Sequence, residues 1–298
     1  MSRGVPLTFP PGTDWAYSNT GYVVLGAIIE RVSGMSYATY IKQRVATRAG
    51  LRFTGYDTGD DNNPARARGH VLAADGGVTP AGFLHMSQPF AAGALVSTVD
   101  DMWRWEQQLV GGRVVSRTLL DRAWSAGEPP DGRHTGYGFG WFNSEIAGRK
   151  THEHGGAING FSSYSIAMPD EQAYIVVLTN RQLDPRAAVL VTDVGMRIAR
   201  VLLGGPKRPS VATQDDLAAL AGSYRLNAAA TRAIAVDGNV LYSQGTGRPR
   251  FALVPVGTDH FVVEHSETHF FFVRDASGKV IGMRSRPRLG PETFAPRI

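Results

Sequence analysis

Phe9-Pro10-Pro11-Gly12-Thr13-Asp14-Trp15-Ala16-Tyr17-Ser18-Asn19-Thr20-Gly21-Tyr22 is the stretch whose reading decides the fold. Its first half is turn chemistry, because proline fixes φ and glycine admits conformations that other residues avoid. Its second half starts a helix. Leu25, Ile28, Ile29 and Val32 recur at helical spacing, and Gly34 suits a left-handed C-cap. Taken by itself, Tyr17-Ser18-Asn19 is explained by an Asx-type turn at a helix start.

The rest of the first two-thirds alternates helices and strands. Ser36 caps a second helix running to about Thr47. Residues 52–92, rich in Gly, Asp, Asn, Pro and Ala, read as long surface loops, and such loops are commonly functional rims. Ser97 and Thr98 open a helix through Val110, and another helix covers 116–126. Tyr137–Phe142 reads as a strand. Phe161–Met168 and Ala173–Thr179 read as two strands joined by a turn at Pro169-Asp170-Glu171-Gln172. Tyr174–Leu178 is continuously apolar, which predicts a central strand buried on both faces. A helix spans about 185–203.

Gly204-Gly205-Pro206 begins a stretch, 206–216, with the composition of a linker. Beyond it, short alternating segments at 231–237, 239–244, 250–255, 260–265, 268–274 and 279–285 predict a small antiparallel barrel over 217–298. The Phe270-Phe271-Phe272 run fits its core and exterior. His260, His265 and His269 fall on its strands as surface or lumen residues.

Composition removes several classes of function. At 43% hydrophobic and 19% charged, the 298-residue chain is an ordinary globular protein. Its net charge of +5 comes without a Lys/Arg run, which argues against nucleic acid as a partner. There is no Cys, so disulfides, thiol catalysis and thiolate metal sites are excluded. No apolar run is long enough for a transmembrane segment, and residues 1–13 contain no signal-peptide core. A leader further upstream would place the protein in the periplasm or outside the cell; otherwise the cytoplasm is the expectation. His152 and His154 share a strand face with Glu153 pointing away, and no further ligand is evident, so no metal site is expected.

A second segment, His154-Gly155-Gly156-Ala157-Ile158-Asn159-Gly160-Phe161-Ser162-Ser163-Tyr164, gives the first its meaning. Together the two resemble motifs of the serine β-lactamase and penicillin-binding protein superfamily, in particular the class C-like, peptidase S12-type esterases and D-aminopeptidases. Tyr17-Ser18-Asn19 resembles the Tyr-X-Asn motif. His154-Gly155-Gly156 resembles the third motif, written Lys-Thr-Gly in β-lactamases and His-X-Gly in many esterase and peptidase relatives. Gly93–Asp101 and Tyr137-Gly138-Phe139-Gly140-Trp141 resemble further segments in the same order. The likeness covers residues 1 to about 205, and 217–298 resembles the lipocalin-like barrel of some members.

The resemblance implies an α/β (α+β) fold: an antiparallel sheet with helices, followed by the barrel. It implies an acyl-enzyme mechanism without metal or cofactor, acting on a small amide, ester or peptide. Tyr17 would be general base and leaving-group acid, and Asn19 would hold a lysine and the substrate amide. His154, on an edge strand, would orient the tyrosine or the substrate. Gly155 and Gly156 would admit substrate to the backbone, and the Ala157 N–H would join the oxyanion hole.

One departure outweighs the matches. The superfamily's nucleophile lies on a Ser-X-X-Lys motif many residues upstream of the tyrosine, and no serine in this chain has lysine at the third following position. Only sixteen residues precede Tyr17. The chain therefore reads as a serine hydrolase lacking its N-terminal portion and its nucleophile, inactive alone. Its missing partner would be that portion or another subunit. The alternative is a noncatalytic pseudoenzyme that binds a cell-wall peptide or a small apolar ligand.

Overall fold

The computed structural model describes residues 6–59, 66–127, 135–184, 190–204, 214–263, 268–287 and 292–298. Most of the 206–216 stretch, His265 and the first residues of the 185–203 helix lie outside them. The chain divides into two compact units, 1–143 with 151–195, and 144–150 with 196–298.

In the first unit, α1 (Asn19–Ser33) is capped by the Ser18 hydroxyl, which accepts from the Gly21 N–H at 3.1 Å, and stops at Gly34 with φ 68°. The face it buries is not its apolar stripe. Gly26 is buried against Phe90 and Ala91, where a Cβ would come within 2.4 Å of the Ala91 side chain. Leu25, Ile28 and Val32 remain exposed. The second helix begins as expected after Ser36 as α2 (Tyr37–Tyr40), then widens to π-helical winding over Ile41–Ala46.

The 52–92 stretch is less loop-like than expected. It holds β1 (Gly55–Tyr56), paired with β4 (Leu95–Val96), and a hairpin of β2 (His70–Leu72) and β3 (Val78–Pro80). The hairpin docks through a close backbone approach. Gly160 has φ 81°, and a Cβ on it would fall 2.5 Å from the Gly69 Cα. Helices α3 (Val99–Val110), capped by Thr98, and α4 (Arg117–Trp124), capped by Ser116, bury Leu109, Leu120 and Trp124 together.

The sheet has four antiparallel strands in the order β5 (Phe142–Ile146), β6 (Arg149–Ile158), β7 (Phe161–Met168), β8 (Ala173–Thr179). One expectation is corrected here. β8 is an edge of the sheet among the described residues, not a central strand. Its unbroken apolar run reflects cover from helices, as when Trp103 of α3 meets Tyr174 with ring centroids 6.4 Å apart. β6, which carries His154, has the five-residue β5 beside its first half, and its His154–Ile158 half pairs with β7. A second correction concerns Tyr137–Phe142. Its ends form an isolated bridge, and the residues between make a tight turn in which the Gly138 N–H donates to the Trp141 carbonyl at 2.8 Å. A Cβ at Gly138 would strike the Ala123 carbonyl oxygen, so these glycines serve the turn and not a strand. Helix α5 (Val191–Leu202) follows.

The second unit contains α6 (Gln214–Leu220), which opens inside the stretch read as linker, and eight consecutive antiparallel strands. These are β9 (Gly222–Arg225), β10 (Thr231–Asp237), β11 (Val240–Gly245), β12 (Arg250–Gly257), β13 (His260–Val263), β14 (His269–Arg274), β15 (Val280–Arg286) and β16 (Thr293–Pro296). A bridge between Tyr224 and Arg297 and the Ile298 N–H donating to Ser223 at 2.9 Å bring the first and last strands together as a nearly closed barrel. Tyr224, Phe261, Phe270, Leu241 and Met283 fill its core, with Leu217 and Leu220 of α6 among them. His260 and His269 pair at 2.8 Å and sit beside Phe271.

Candidate active site

The start of α1 carries Tyr17 and Asn19, and β6 carries His154, 137 positions away in sequence (154 − 17). The fold brings them together. The Tyr17 and His154 rings lie 6.0 Å apart, and the Tyr17 hydroxyl donates to the Asn19 side-chain oxygen at 3.1 Å. Tyr17 is 46% exposed, so its phenol faces open space on one side. Burial of its remainder, then the neighbouring Tyr22, raises the phenol above its ordinary range. It is a protonated donor near neutrality.

Two site residues were missed by sequence reasoning. The Tyr137 hydroxyl lies 3.2 Å from His154 Nε2 and the Tyr22 hydroxyl 3.4 Å from that of Tyr137. Tyr137 also meets Tyr17 edge-on at 5.8 Å, Trp15 at 5.4 Å and Phe142 at 4.6 Å between centroids. It is buried, and burial followed by Tyr22 raises its phenol far above the usual range. The available signal was an aromatic residue flanked by Gly136, Gly138 and Gly140: a side chain presented by such a turn is fixed by backbone geometry. Gly140, at φ 98°, passes close to the Tyr22 hydroxyl.

His154 is held at both nitrogens. Nδ1 lies 2.6 Å from the Gly155 carbonyl oxygen, which can only accept. Nδ1 therefore carries a proton toward the carbonyl, and Nε2 faces the Tyr137 hydroxyl. Gly155, Gly156 and Ala157 follow on β6, exposed, opposite Tyr164, Ser163 and Ser162. Without side chains at the two glycines, a ligand can reach the strand's backbone.

The opposite face of β6 is structural. Thr151 and Glu153 are buried, and the Tyr164 hydroxyl donates to Glu153. His152 leaves the site, stacking on Trp124 at 4.2 Å with Nδ1 2.7 Å from Asn143 Oδ1. Among the described residues no group of three His, Cys, Asp or Glu is placed to hold a metal.

A phenol at a helix start facing an imidazole on a glycine-rich strand, over an antiparallel sheet, defines the class as β-lactamase-related and penicillin-binding-protein-like. The Beta-lactamase family matches residues 1–196, and the chain belongs to that family. It is 28% identical over 294 residues to penicillin-binding protein 4* of Bacillus subtilis (strain 168), covering 91% of this chain and 62% of that protein. It is 24% identical to the D-aminopeptidase of Gluconobacter oxydans (strain 621H), covering 84% of this chain and 45% of that one. The chain thus spans about half to three-fifths of these relatives. Among solved structures, a D-stereospecific amidohydrolase from Streptomyces sp. matches with a TM-score of 0.52 and 26% identity, over 58% of this chain and 52% of that one. The octameric penicillin-binding protein homologue from Pyrococcus abyssi shares the fold, with a TM-score of 0.57 and 22% identity over 97% of this chain and 66% of that one.

Proposed function

We infer that this chain carries the tyrosine–histidine half of a serine hydrolase of the esterase or D-amino-acid peptidase type, and that it is inactive without a Ser-X-X-Lys segment. In this reading residues 1–205 form the acyl-transfer body, 206–216 a connection, and 217–298 an appended barrel. The single observation that supports it is the state of Tyr17. Tyr17 is exposed, its phenol is raised above its ordinary range, and its hydroxyl bonds only to Asn19 among the described residues, with His154 beside it. A serine hydroxyl needs a neighbour to take its proton. A lysine ammonium next to Tyr17 would favour tyrosinate and make the phenol that neighbour. Asn19 would then turn to the lysine and the substrate amide. The exposed backbone from Gly155 to Ala157 would receive the acyl group, with the Ala157 N–H as an oxyanion donor. A small amide, ester or peptide is the matching substrate class, as the names of the D-aminopeptidase and amidohydrolase relatives also indicate.

Mass spectrometry after incubation with a fluorophosphonate or a β-lactam tests this. The chain alone should acquire no covalent adduct. The same chain joined to an upstream Ser-X-X-Lys segment should acquire one, at that serine, and Tyr17→Phe should slow it strongly. A stoichiometric adduct with turnover on any serine of the 298-residue chain would overturn the reading.

A further inference from the structure

The arginines, scattered in sequence, gather in space. Arg48 and Arg52 follow the π-helical turn, and Arg104 and Arg113 lie on and just after α3. All four line one open concavity of about 660 Å³ with Gly50 and Gln108. No carboxylate lines it. Arg48 also lines the adjoining concavity of about 500 Å³, which Arg44 shares.

The charges are positioned, and only one of the four is paired with an acid. The Arg104 guanidinium donates to the Gly50 carbonyl at 2.9 Å, and that of Arg113 donates to Gln108 Oε1 at 3.3 Å. Both acceptors are neutral. Arg104 also pairs at 3.9 Å with buried Asp101, whose oxygens accept from the Arg52 and Phe53 N–H groups and from the Thr54 hydroxyl. Arg48 and Arg52 have no ion pair among the described residues. Like charges held together disfavour one another, so a fold that assembles four guanidiniums with a single counter-charge, Asp101 beside Arg104, is stabilised by an anion that enters between them.

We propose that this arginine-lined concavity is a binding site for a phosphoryl-bearing anion. A carboxylate brings one charge and two oxygens. A phosphate group brings more charge and at least two free oxygens, which several planar guanidinium forks can engage at once. The volume falls within the range of small-ligand sites. The site is separate from Tyr17 and His154 and stands whether or not the acyl-transfer reading holds.

The test uses the full chain with tripolyphosphate as soluble probe and phosphatidylglycerol vesicles as headgroup probe. Titration calorimetry should show saturable tripolyphosphate binding, and the anion should raise the thermal midpoint. R48Q/R52Q should weaken binding by about a hundredfold, since each of the two lost charge-assisted contacts is worth about tenfold. In anion-free buffer the same variant should melt higher than the parent, because repulsion is relieved. R48K/R52K, which keeps charge but loses the planar fork, should bind with intermediate strength. Vesicle binding that the Gln variant abolishes identifies a lipid headgroup as the source, and soluble binding without vesicle binding identifies a free phosphate compound. The proposal fails if binding is not saturable, if R48Q/R52Q leaves it unchanged, or if poly-glutamate or a single-stranded oligonucleotide binds more tightly than tripolyphosphate.

Discussion

Tyr137 Oη stands 3.2 Å from Nε2 of His154, whose Nδ1 is 2.6 Å from the Gly155 carbonyl oxygen. The two contacts hold both ring nitrogens, and Nδ1 carries a proton because the carbonyl cannot donate. Tyr137 is in this sense a positioning residue acting through His154. Tyr137→Phe should leave the ring packing with Trp15, Tyr17 and Phe142 intact and cost about 1 kcal/mol of stability, the usual worth of one hydrogen bond. The ¹⁵N shifts of the His154 ring should move, that of Nε2 most, because its hydrogen-bond partner is gone. A merely structural tyrosine would leave those shifts unchanged.

Glu106 gives the first unit a specific pH dependence. It is buried on α3, without a hydrogen-bond or ion-pair partner among the described residues, and burial raises its carboxyl from 4.5 to about 7. Between these values the folded protein holds a proton that the unfolded chain has released, so stability falls as pH rises through that window. The full loss is on the order of 3 kcal/mol. Glu106→Gln should therefore be more stable than the parent at pH 8 and nearly equal at pH 4, as denaturant titrations at the two pH values would show. Equal stabilities at pH 8 would mean that the carboxylate is solvated.

Asp101 acts in the opposite direction. Burial alone would raise its carboxyl, but the Phe53 and Arg52 N–H groups, the Thr54 hydroxyl and Arg104 together hold it below the usual range. The unfolded chain takes up a proton first as pH falls, so the stability Asp101 contributes is complete above the ordinary carboxylate range. It is lost as pH drops through the folded-state value. Asp101→Ala strips the acceptor from two backbone donors at the start of the 52–59 segment and should cost about 2–3 kcal/mol at neutral pH. Urea melts at pH 7 and pH 3 should show the parent and variant converging at the lower value.

Local chemistry was legible in the sequence and non-local order was not. Ser18 and Gly34 bound α1 because a cap hydroxyl and a left-handed glycine act within one turn of chain. The strands Phe161–Met168 and Ala173–Thr179 were read to the residue because Pro169–Gln172 can only turn. Six barrel strands followed from alternation, while the short β9 and β16, which close the barrel, carry too few residues to show a period. Strand order leaves no local trace, so β8 reads as central although it lies at the sheet edge. The pairing of Tyr137 with His154 and the grouping of Arg48 and Arg52 with Arg104 and Arg113 likewise appear only when distant segments meet. In the candidate site, motif resemblance singles out Tyr17, Asn19 and His154, whereas Tyr137 reads in the sequence only as part of a strand.

Arg297 fastens the barrel's last strand to its first. Its guanidinium donates to the Ala219 carbonyl at 2.9 Å and to that of Ala221, while its side chain packs on Gly222, where a Cβ would approach within 2.9 Å. Arg297→Ala removes donors from two carbonyls at the end of α6 and should destabilise the second unit by about 2 kcal/mol. Amide exchange should rise first in β9 and β16. Uniform exchange across all eight strands would show that closure does not depend on this residue.

Leu25, Ile28 and Val32 form an exposed apolar stripe along α1, at 51, 50 and 82% exposure, spaced to lie on one helix face. Soluble monomers rarely leave such a face in water, and it lies on the helix that begins immediately after the Tyr17 turn. If a serine-bearing segment completes the site, this stripe is the surface it covers. Replacing all three residues with Gln should then have two consequences. The chain alone should elute closer to its monomer volume in size exclusion, because nonspecific association through the stripe is lost. Its melting midpoint should hardly change, because exposed side chains contribute little packing. Joined to a Ser-X-X-Lys segment, the same triple variant should lose the acylation expected of the parent fusion, since the segment would have no apolar surface on which to dock. Full acylation in the triple variant would show that the segment is held elsewhere and would leave the stripe as a contact for another protein.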